Sequence, residues 1–230
     1  MENKKQIMTH LDIELKQLRS EIILMWEMVI NQLVKTQRAL IQLDNDLARE
    51  VIANEKRVNA QELKIDRDCE NIFALFSPVA IDLRFVLAVL KINNNLERTG
   101  DIAEGIARFV LDVEKPFDEE LLQTTEVLIM FEEAIEILKD TLNAFIKEDT
   151  QLARSIFLRD ETLNEINKRA NKVVAEYIKN HLDNIDQALY ILSTIRKLER
   201  VGDQTQNIAE ELIFYVEAKV MKHMGKTPES

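Results

Sequence analysis

Apolar side chains recur at steps of three and four residues along most of this chain, with charged and amide side chains between them. This is the period of an amphipathic α-helix, in which one face is apolar. The last stretch of the chain shows the pattern at Ile185, Leu189, Leu192, Ile195, Leu198, Ile208 or Ala209, Leu212 and Val216. The pattern predicts six helices, over residues 4–42, 45–75, 80–113, 118–147, 150–181 and 185–221.

The three prolines mark where these helices should be interrupted. Pro78 follows Ser77, which predicts an N-cap serine and a proline at the first position of the third helix. Pro116, in "VEKPFDEE", predicts a break just past the middle of the chain, and Pro228 lies in a polar tail. We therefore expect two domains and a frayed end, over residues 1–114, 118–222 and 223–230.

A twelve-residue segment occurs twice. "LERTGDIAEGIA" covers residues 96–107 and "LERVGDQTQNIA" covers 198–209, with seven identical positions. A second pair, "DLAREVIANEKRVN" at 46–59 and "QLARSIFLRDETLN" at 151–164, has nearly the same separation. Two copies predict an all-α protein of two tandem three-helix bundles. A generic helical solenoid would instead show more copies at a shorter period.

Composition restricts the class of protein. The 230 residues include only 4 Gly and 3 Pro, which favours long helices over a sheet protein rich in turns. The net charge of −11 disfavours nucleic-acid binding, which usually needs a basic face. A single cysteine, Cys69, excludes an intramolecular disulfide, and "MENKKQIMTH" lacks the apolar core of a signal peptide. Because the apolar runs fall far short of about 20 residues, we expect a cytoplasmic protein without direct membrane insertion.

Carboxylates interrupt the apolar face of the two motif helices. Glu97 and Asp101 lie at i and i+4, as do Glu199 and Asp203, so each pair shares one helix face. On a helical wheel the second pair lies within the apolar stripe or at its edge, whereas solvated charges usually lie opposite the stripe. Burying carboxylates without a counter-charge is costly, so we expect a cation beside them.

The helix before each motif offers matching polar side chains. Folding that helix back at the turn brings its carboxylate and amide groups level with the acidic pair, although Asp66 fits less well. Oxygen ligands without sulfur suit hard cations such as magnesium, calcium, manganese or iron. The predicted metal ligands are Glu55, Asn59, Glu62, Asp66, Glu97, Asp101, Asp160, Asn164, Glu199 and Asp203.

Other residues that carry chemistry have simpler explanations. Gly100 and Gly202 each weaken a helix by roughly 1 kcal/mol relative to alanine. Close helix packing explains them most simply, and the alternative is close approach of a backbone, a metal or an anion. Cys69 is expected to be a core residue, and Trp26 to pack in the core or at a dimer interface. The chain has no P-loop, no ferritin-like Glu-x-x-His pair and no zinc-type cysteine set.

Several segments are similar to the signatures of the PhoU family. These are "DLRFVLAVLKINNNLERTGDIAEGIA", "LERVGDQTQNIAEELIFYV" and the first-helix pattern "HLDIELKQLRSEIILMWEMV". The resemblance covers essentially residues 8–217. It implies two three-helix bundles with pseudo-twofold symmetry, and metal clusters bound on a bundle face by Glu/Asp-x-x-x-Asp motifs. On this chain those motifs are Glu97–Asp101 and Glu199–Asp203, with Glu62–Asp66 as the partner of the first.

The same resemblance implies a function. Family members are negative regulators of the phosphate-starvation response that link the ATPase of the phosphate ABC transporter to a membrane sensor histidine kinase, and they often dimerise. Asn167 and Asn171 stand where the first half has two carboxylates, so we expect the first half to bind metal more tightly. The segment Asp82–Leu83–Arg84 also matches the family, and charge balance at the helix start explains it as well as partner docking does.

Our main hypothesis is a metal-binding, non-enzymatic regulator of phosphate uptake and signalling. It would be cytoplasmic and homodimeric, with iron, manganese or magnesium as the ion. The alternative is a purely structural helical adaptor whose acids are solvated and which binds no metal. A metal-dependent hydrolase or oxidase is the third class, and the sequence shows neither an open coordination position nor a base for it.

Overall fold

The computed structural model of this chain describes residues 9–221, so the start of the first predicted helix and the predicted tail lie outside the described residues. Every regular element within that range is helical, and the all-α prediction is confirmed. The α-helices are α1 His10–Gln42, α2 Asn45–Phe76, α3 Ala80–Asp112, α4 Glu119–Thr125, α5 Val127–Lys147, α6 Thr150–Asn180 and α7 Ile185–Glu217, with a 3-10 turn at Leu182–Asn184.

The internal repeat is visible in the turn that precedes α2 and α6. Asp44 and Asp149 cap these helices, and each side chain accepts hydrogen bonds from two backbone N–H groups of the first turn. The residue before each aspartate, Leu43 or Glu148, has a left-handed backbone conformation that ends the preceding helix. The same N-cap chemistry therefore builds the same tight hairpin in both halves.

The predicted helix over 118–147 is wrong as a single element. It is divided into α4 and α5 at Glu126, whose φ of 56° is left-handed. Asp118 caps the short α4, and the turn of the chain buries Leu121 and Leu122. No glycine or proline marks this break, because it follows from packing α4 against α6 rather than from local backbone preference.

The prediction for Ser77 and Pro78 is also wrong. Ser77 has φ 46° and ends α2, and α3 begins two residues after Pro78. Val79 is the N-cap residue, and its side chain makes no capping hydrogen bond. Of the apolar stripe predicted for α7, Ile195, Leu198 and Leu212 are buried, whereas Leu189 near the start of that helix is 50% exposed.

The helices form two three-helix bundles. In the first half α1, α2 and α3 contact one another, and in the second half α5, α6 and α7 do the same. The halves meet through α3 against α7 and α1 against α5, so each major contact joins equivalent helices of the two repeats. Contacts between equivalent elements are what a pseudo-twofold relation produces. The predicted domain limits stay a prediction, since the buried side chains form one continuous core across both halves.

The junction between the halves is fixed by aromatic and charged side chains. Trp26 is fully buried there, and its indole N–H donates to the Leu138 carbonyl at 3.2 Å. Lys91 of α3 donates to both carboxylate oxygens of the buried Glu211 of α7, at 3.0 and 2.9 Å. Arg84 of α3 donates to the Tyr215 carbonyl at 3.2 Å. The Trp26 bond joins α1 to α5, and the other contacts hold α3 and α7 side by side. The acidic motif of each of these two helices faces a neighbouring helix of its own half.

Candidate metal centre

Glu55 lies at the centre of the acidic group in the first half. It projects from α2 towards α3, is only 4% exposed, and neither of its carboxylate oxygens has a hydrogen-bond partner. The carboxylates of Glu97, Asp101 and Glu104 on α3 lie close enough to repel it. A buried carboxylate normally has hydrogen-bond donors or a counter-charge. The charged form of Glu55 is therefore unfavourable here, and a cation beside it would stabilise it.

Gly100 makes the room that Glu55 occupies. A Cβ atom at Gly100 would lie 3.1 Å from Glu55 Oε2 and 3.2 Å from Gln32 Oε1. The motif glycine therefore admits a carboxylate and an amide from two neighbouring helices, rather than a neighbouring backbone. Close packing was the simpler prediction, and the structure shows that the atoms packed there belong to polar side chains.

Electrostatic repulsion in this group changes the protonation of its carboxyls. Burial raises the pKa of Glu55 to about 7; the nearby Gln32 amide offsets part of this rise, and the neighbouring carboxylates add to it. Burial and the charges of Asp66 and Asp101 raise the pKa of Glu62. Burial and the charge of Asp101 also raise the pKa of Glu97. Each of these carboxyls would be stabilised in its charged form by a cation.

The predicted ligands of the first half do not all converge. Glu55, Glu62, Glu97 and Asp101 lie close enough to repel one another, and the charge of Asp66 acts on Glu62. Asp66 also accepts a hydrogen bond from Asn93 of α3 at 2.9 Å. Asn59 is exposed on α2. Between residues 9 and 221, moreover, no three Asp, Glu, His or Cys side chains stand close enough together to hold an ion as they are placed.

The second half has a corresponding buried carboxylate, Asp160 of α6. It is 1% exposed and packs so closely on Gly202 that a Cβ there would overlap its Oδ1 atom. Unlike Glu55, it has donors: Asn164 and Gln206 both give an amide N–H to Oδ2. Burial and the charges of Asp203 and Glu199 nevertheless raise the pKa of Asp160 to about 6.

The remaining predicted residues of the second half lie around Asp160. Burial is the main cause of the raised pKa of Glu199 and of Asp203. The side-chain oxygen of Asn171 is already engaged, because it accepts a hydrogen bond from Arg196 at 3.0 Å. The second site is therefore less negative than the first and is partly satisfied from within the chain.

Two residues of these sites were missed from the sequence. Gln32 comes from α1, is 3% exposed, and has no hydrogen-bond partner for either side-chain heteroatom. The sequence signal for Gln32 was its place on the apolar face of α1, because a buried amide normally requires a hydrogen-bond partner. Gln206 was not among the predicted ligands, because its donation to a carboxylate on another helix cannot be inferred from its position on α7 alone.

The donor chemistry of the first half fits a hard cation. All its groups are oxygen donors, and the unpaired Glu55 carboxylate is the sort of buried atom that a bound ion would satisfy. The present side-chain positions do not form a closed coordination shell. Binding would require the half-exposed Glu97 and the exposed Asp101 to rotate towards Glu55.

Cys69 and Trp26 both lie in the core. Cys69 is fully buried on α2, and burial is the main cause that raises the pKa of its thiol to about 12, which makes it an unreactive core residue. Trp26 likewise packs within the core of the chain and against Phe145, with ring centroids 5.6 Å apart. No helix in the described part of the chain has the length and apolar character needed to span a bilayer.

Comparisons with known proteins agree with this architecture. The PhoU domain family model matches residues 22–110 and again residues 127–212, one match in each half. The phosphate-specific transport system accessory protein PhoU of Escherichia coli K12 is 33% identical over 221 residues, covering 96% of this chain and 91% of that protein. PhoU homolog 1 of Thermotoga maritima, also described as a phosphate-specific transport system accessory protein, is 30% identical over 96% of this chain and 95% of its own length.

Solved structures lead to the same family. The crystal structure of PhoU from Pseudomonas aeruginosa superposes with a TM-score of 0.86 at 31% identity, over 91% of this chain and 100% of that one. The phosphate transport system regulatory protein PhoU from Streptococcus pneumoniae superposes with a TM-score of 0.79 at 28% identity, over 92% and 99% of the two chains.

Proposed function

Because this chain belongs to the PhoU family, we propose that it is an accessory protein of phosphate-specific transport whose first acidic centre binds a metal ion. In this role it works in the cytoplasm as a negative regulator of phosphate uptake and of the phosphate-starvation response. Its partners are the ATPase of the phosphate ABC transporter and a sensor histidine kinase, and it acts as a homodimer. We propose no catalytic activity, since the relatives named above are accessory and regulatory proteins.

The metal part of the proposal depends on Glu55. This carboxylate is buried, has no donor, and is surrounded by other carboxylates, so it is the group with most to gain from a cation. Glu55, Glu62, Glu97 and Asp101 would hold the ion. When bound, iron, manganese or magnesium would supply the positive charge that the four carboxylates lack. Gly100 keeps the space open, since a side chain there would crowd the Glu55 oxygens.

The regulatory part predicts a growth-condition phenotype. Deleting the gene should raise alkaline phosphatase expression in phosphate-rich medium, because the response would lose its negative regulator. Restoring the wild-type gene should reverse the change, and so should Glu27→Gln, which alters only an exposed carboxylate of α1. Alkaline phosphatase that stays unchanged after deletion would contradict the regulatory role.

The unequal charge of the two halves predicts unequal metal affinity. Calorimetric titration with manganese should show a much larger loss of binding for Glu97→Ala than for the equivalent Glu199→Ala. The reason is that Asp160, the buried acid beside Glu199, already accepts two amide hydrogen bonds, whereas Glu55 accepts none. Equal losses from both variants would contradict this asymmetry.

The structural adaptor remains the rival explanation, and metal content decides between the two. Protein purified without chelators and without a metal-affinity tag should contain iron, manganese or magnesium by elemental analysis. Its melting temperature should fall after treatment with a chelator and recover when the ion is returned. An adaptor with solvated acids would contain no metal and would melt at the same temperature throughout.

A further inference from the structure

The two repeats differ systematically around their buried carboxylates. Four pairs of equivalent positions change in the same electrostatic direction, because each residue of the second half is less negative or more positive than its counterpart. The pairs are Glu62 and Asn167, Asp66 and Asn171, Glu104 and Gln206, and Asn94 and Arg196. The first half therefore has six carboxylates where the second has three, and the second half adds an arginine.

One of these substitutions, that of Glu104 by Gln206, also supplies a hydrogen-bond donor. Gln206 of α7 and Asn164 of α6 donate to the same Asp160 oxygen, at 2.5 and 2.8 Å. Asp160 is buried among α6 and α7, so these charge-assisted bonds replace the water that its Oδ2 atom has lost, while its Oδ1 atom has no hydrogen-bond partner. Arg196 meanwhile donates to Asn171, beside the same helix pair.

The equivalent positions of the first half donate no hydrogen bond to Glu55. Glu104, which corresponds to Gln206, carries no N–H group and instead forms an ion pair with Arg108 on its own helix at 2.5 Å. Asn59, which corresponds to Asn164, is exposed and does not bond to Glu55. Neither oxygen of Glu55 accepts a hydrogen bond of normal geometry, and the amide beside it is that of Gln32 from α1, which lowers its pKa without fully offsetting the effect of burial.

We propose that Gln206 makes the second centre independent of metal: its amide, with that of Asn164, takes the place that a cation takes in the first half. The inference rests on the proposed metal centre of the first half and adds a division of labour between the repeats. The centre of the first half responds to a divalent cation. The centre of the second half binds none, and its amide hydrogen bonds to Asp160 stabilise the second bundle at all times.

The substitution Gln206→Glu tests this directly. It removes the donor to Asp160 and introduces the carboxylate that the first half has at Glu104. In chelator-treated protein the melting temperature should fall by roughly 5 °C, as expected for losing a hydrogen bond to a charged group in a chain of this size. Adding manganese should then raise the melting temperature by more than it does for the wild type, because a second cation site has been created.

Two matched variants separate the effects. Gln206→Met removes the donor without adding charge, so it should lower the melting temperature of the metal-free protein and give no extra manganese response. Glu104→Gln in the first half should do the reverse of Gln206→Glu, raising the metal-free melting temperature and weakening the manganese response. A melting temperature that Gln206→Glu and Gln206→Met leave unchanged would overturn the proposal.

Metal stoichiometry distinguishes failure of this inference from failure of the proposed function. If the wild type binds manganese at two centres and Asp160→Asn removes one of them, the second centre is not metal-independent and the inference is wrong, while the proposed metal function stands. If the wild type binds no metal and Gln206→Met still destabilises it, the amide bonds are supported and the proposed metal function fails.

Discussion

Replacing Glu55 by glutamine should stabilise the metal-free protein at pH 8 by about 3 kcal/mol. The pKa of Glu55 is raised from 4.5 to about 7 by burial and by neighbouring carboxylates, and each unit corresponds to about 1.4 kcal/mol. Above pH 7 the native protein carries this buried charge at full cost, whereas glutamine fills nearly the same volume without charge. Urea denaturation in the presence of a chelator measures the difference.

The same raised pKa determines how stability depends on pH. Between about pH 4.5 and 7 the unfolded chain has already released the Glu55 proton while the folded chain retains it. The folded state therefore binds more protons, and the free energy of unfolding falls as the pH rises through this window. Glu55→Gln should remove that part of the decline. The contribution of Asp160, whose pKa is about 6, would remain, as would those of the other carboxyls with a raised pKa, which are Glu62, Glu97, Glu199 and Asp203.

Manganese should reverse the order of stability. The wild type gains stability from an ion that neutralises Glu55, and Glu55→Gln should lose most of that gain because an amide has no charge for the ion to neutralise. Glu27→Gln, an exposed position on α1, is the matched control and should behave as the wild type in both conditions. If Glu55→Gln were less stable than the wild type without metal, the buried charge of Glu55 would not be what destabilises the metal-free protein.

Replacing Gly202 by alanine should destabilise the protein by about 2 kcal/mol, even though alanine favours helices by roughly 1 kcal/mol. The added Cβ would overlap Asp160 Oδ1 and would lie 2.7 Å from Leu163 Cδ1. Asp160 cannot retreat easily, because it is buried and is held by two amide donors. The melting temperature should fall by about 4–8 °C for a chain of this length.

The other helical glycines provide controls for that result. At Gly105 the nearest atom is the Lys197 ammonium at 2.5 Å, the end of a flexible side chain that can move aside. Gly105→Ala should therefore be neutral or stabilising by up to about 1 kcal/mol. Gly100→Ala should fall between the two, since Glu55 and Gln32 lie 3.1–3.2 Å away and need give only slightly. Equal effects at Gly202 and Gly105 would show that the close approach of Asp160 carries no cost.

Local signals in the sequence account for most of the helix limits. The predicted ends agree within two residues with the structure at α2 and α3, where apolar periodicity stops at the turns. They fail at Glu126, where a left-handed residue divides the predicted fourth helix without glycine or proline. They also fail at Ser77, which ends one helix instead of starting the next. In both cases the packing of neighbouring elements selects a backbone conformation that the local residues only tolerate.

The sequence by itself determined the fold class, the repeat and the identity of the acidic group. These follow from periodicity and from residue type, which are properties of the chain in one dimension. Only the tertiary structure decided which buried carboxylate has no hydrogen bond to either oxygen and which accepts two amide hydrogen bonds on one oxygen. Glu55 and Asp160 occupy equivalent positions, but their environments depend on Gln32 and Gln206, which reach them from other helices. Burial and hydrogen bonding between distant segments exist only after the helices have packed, and they set the charge balance of each site.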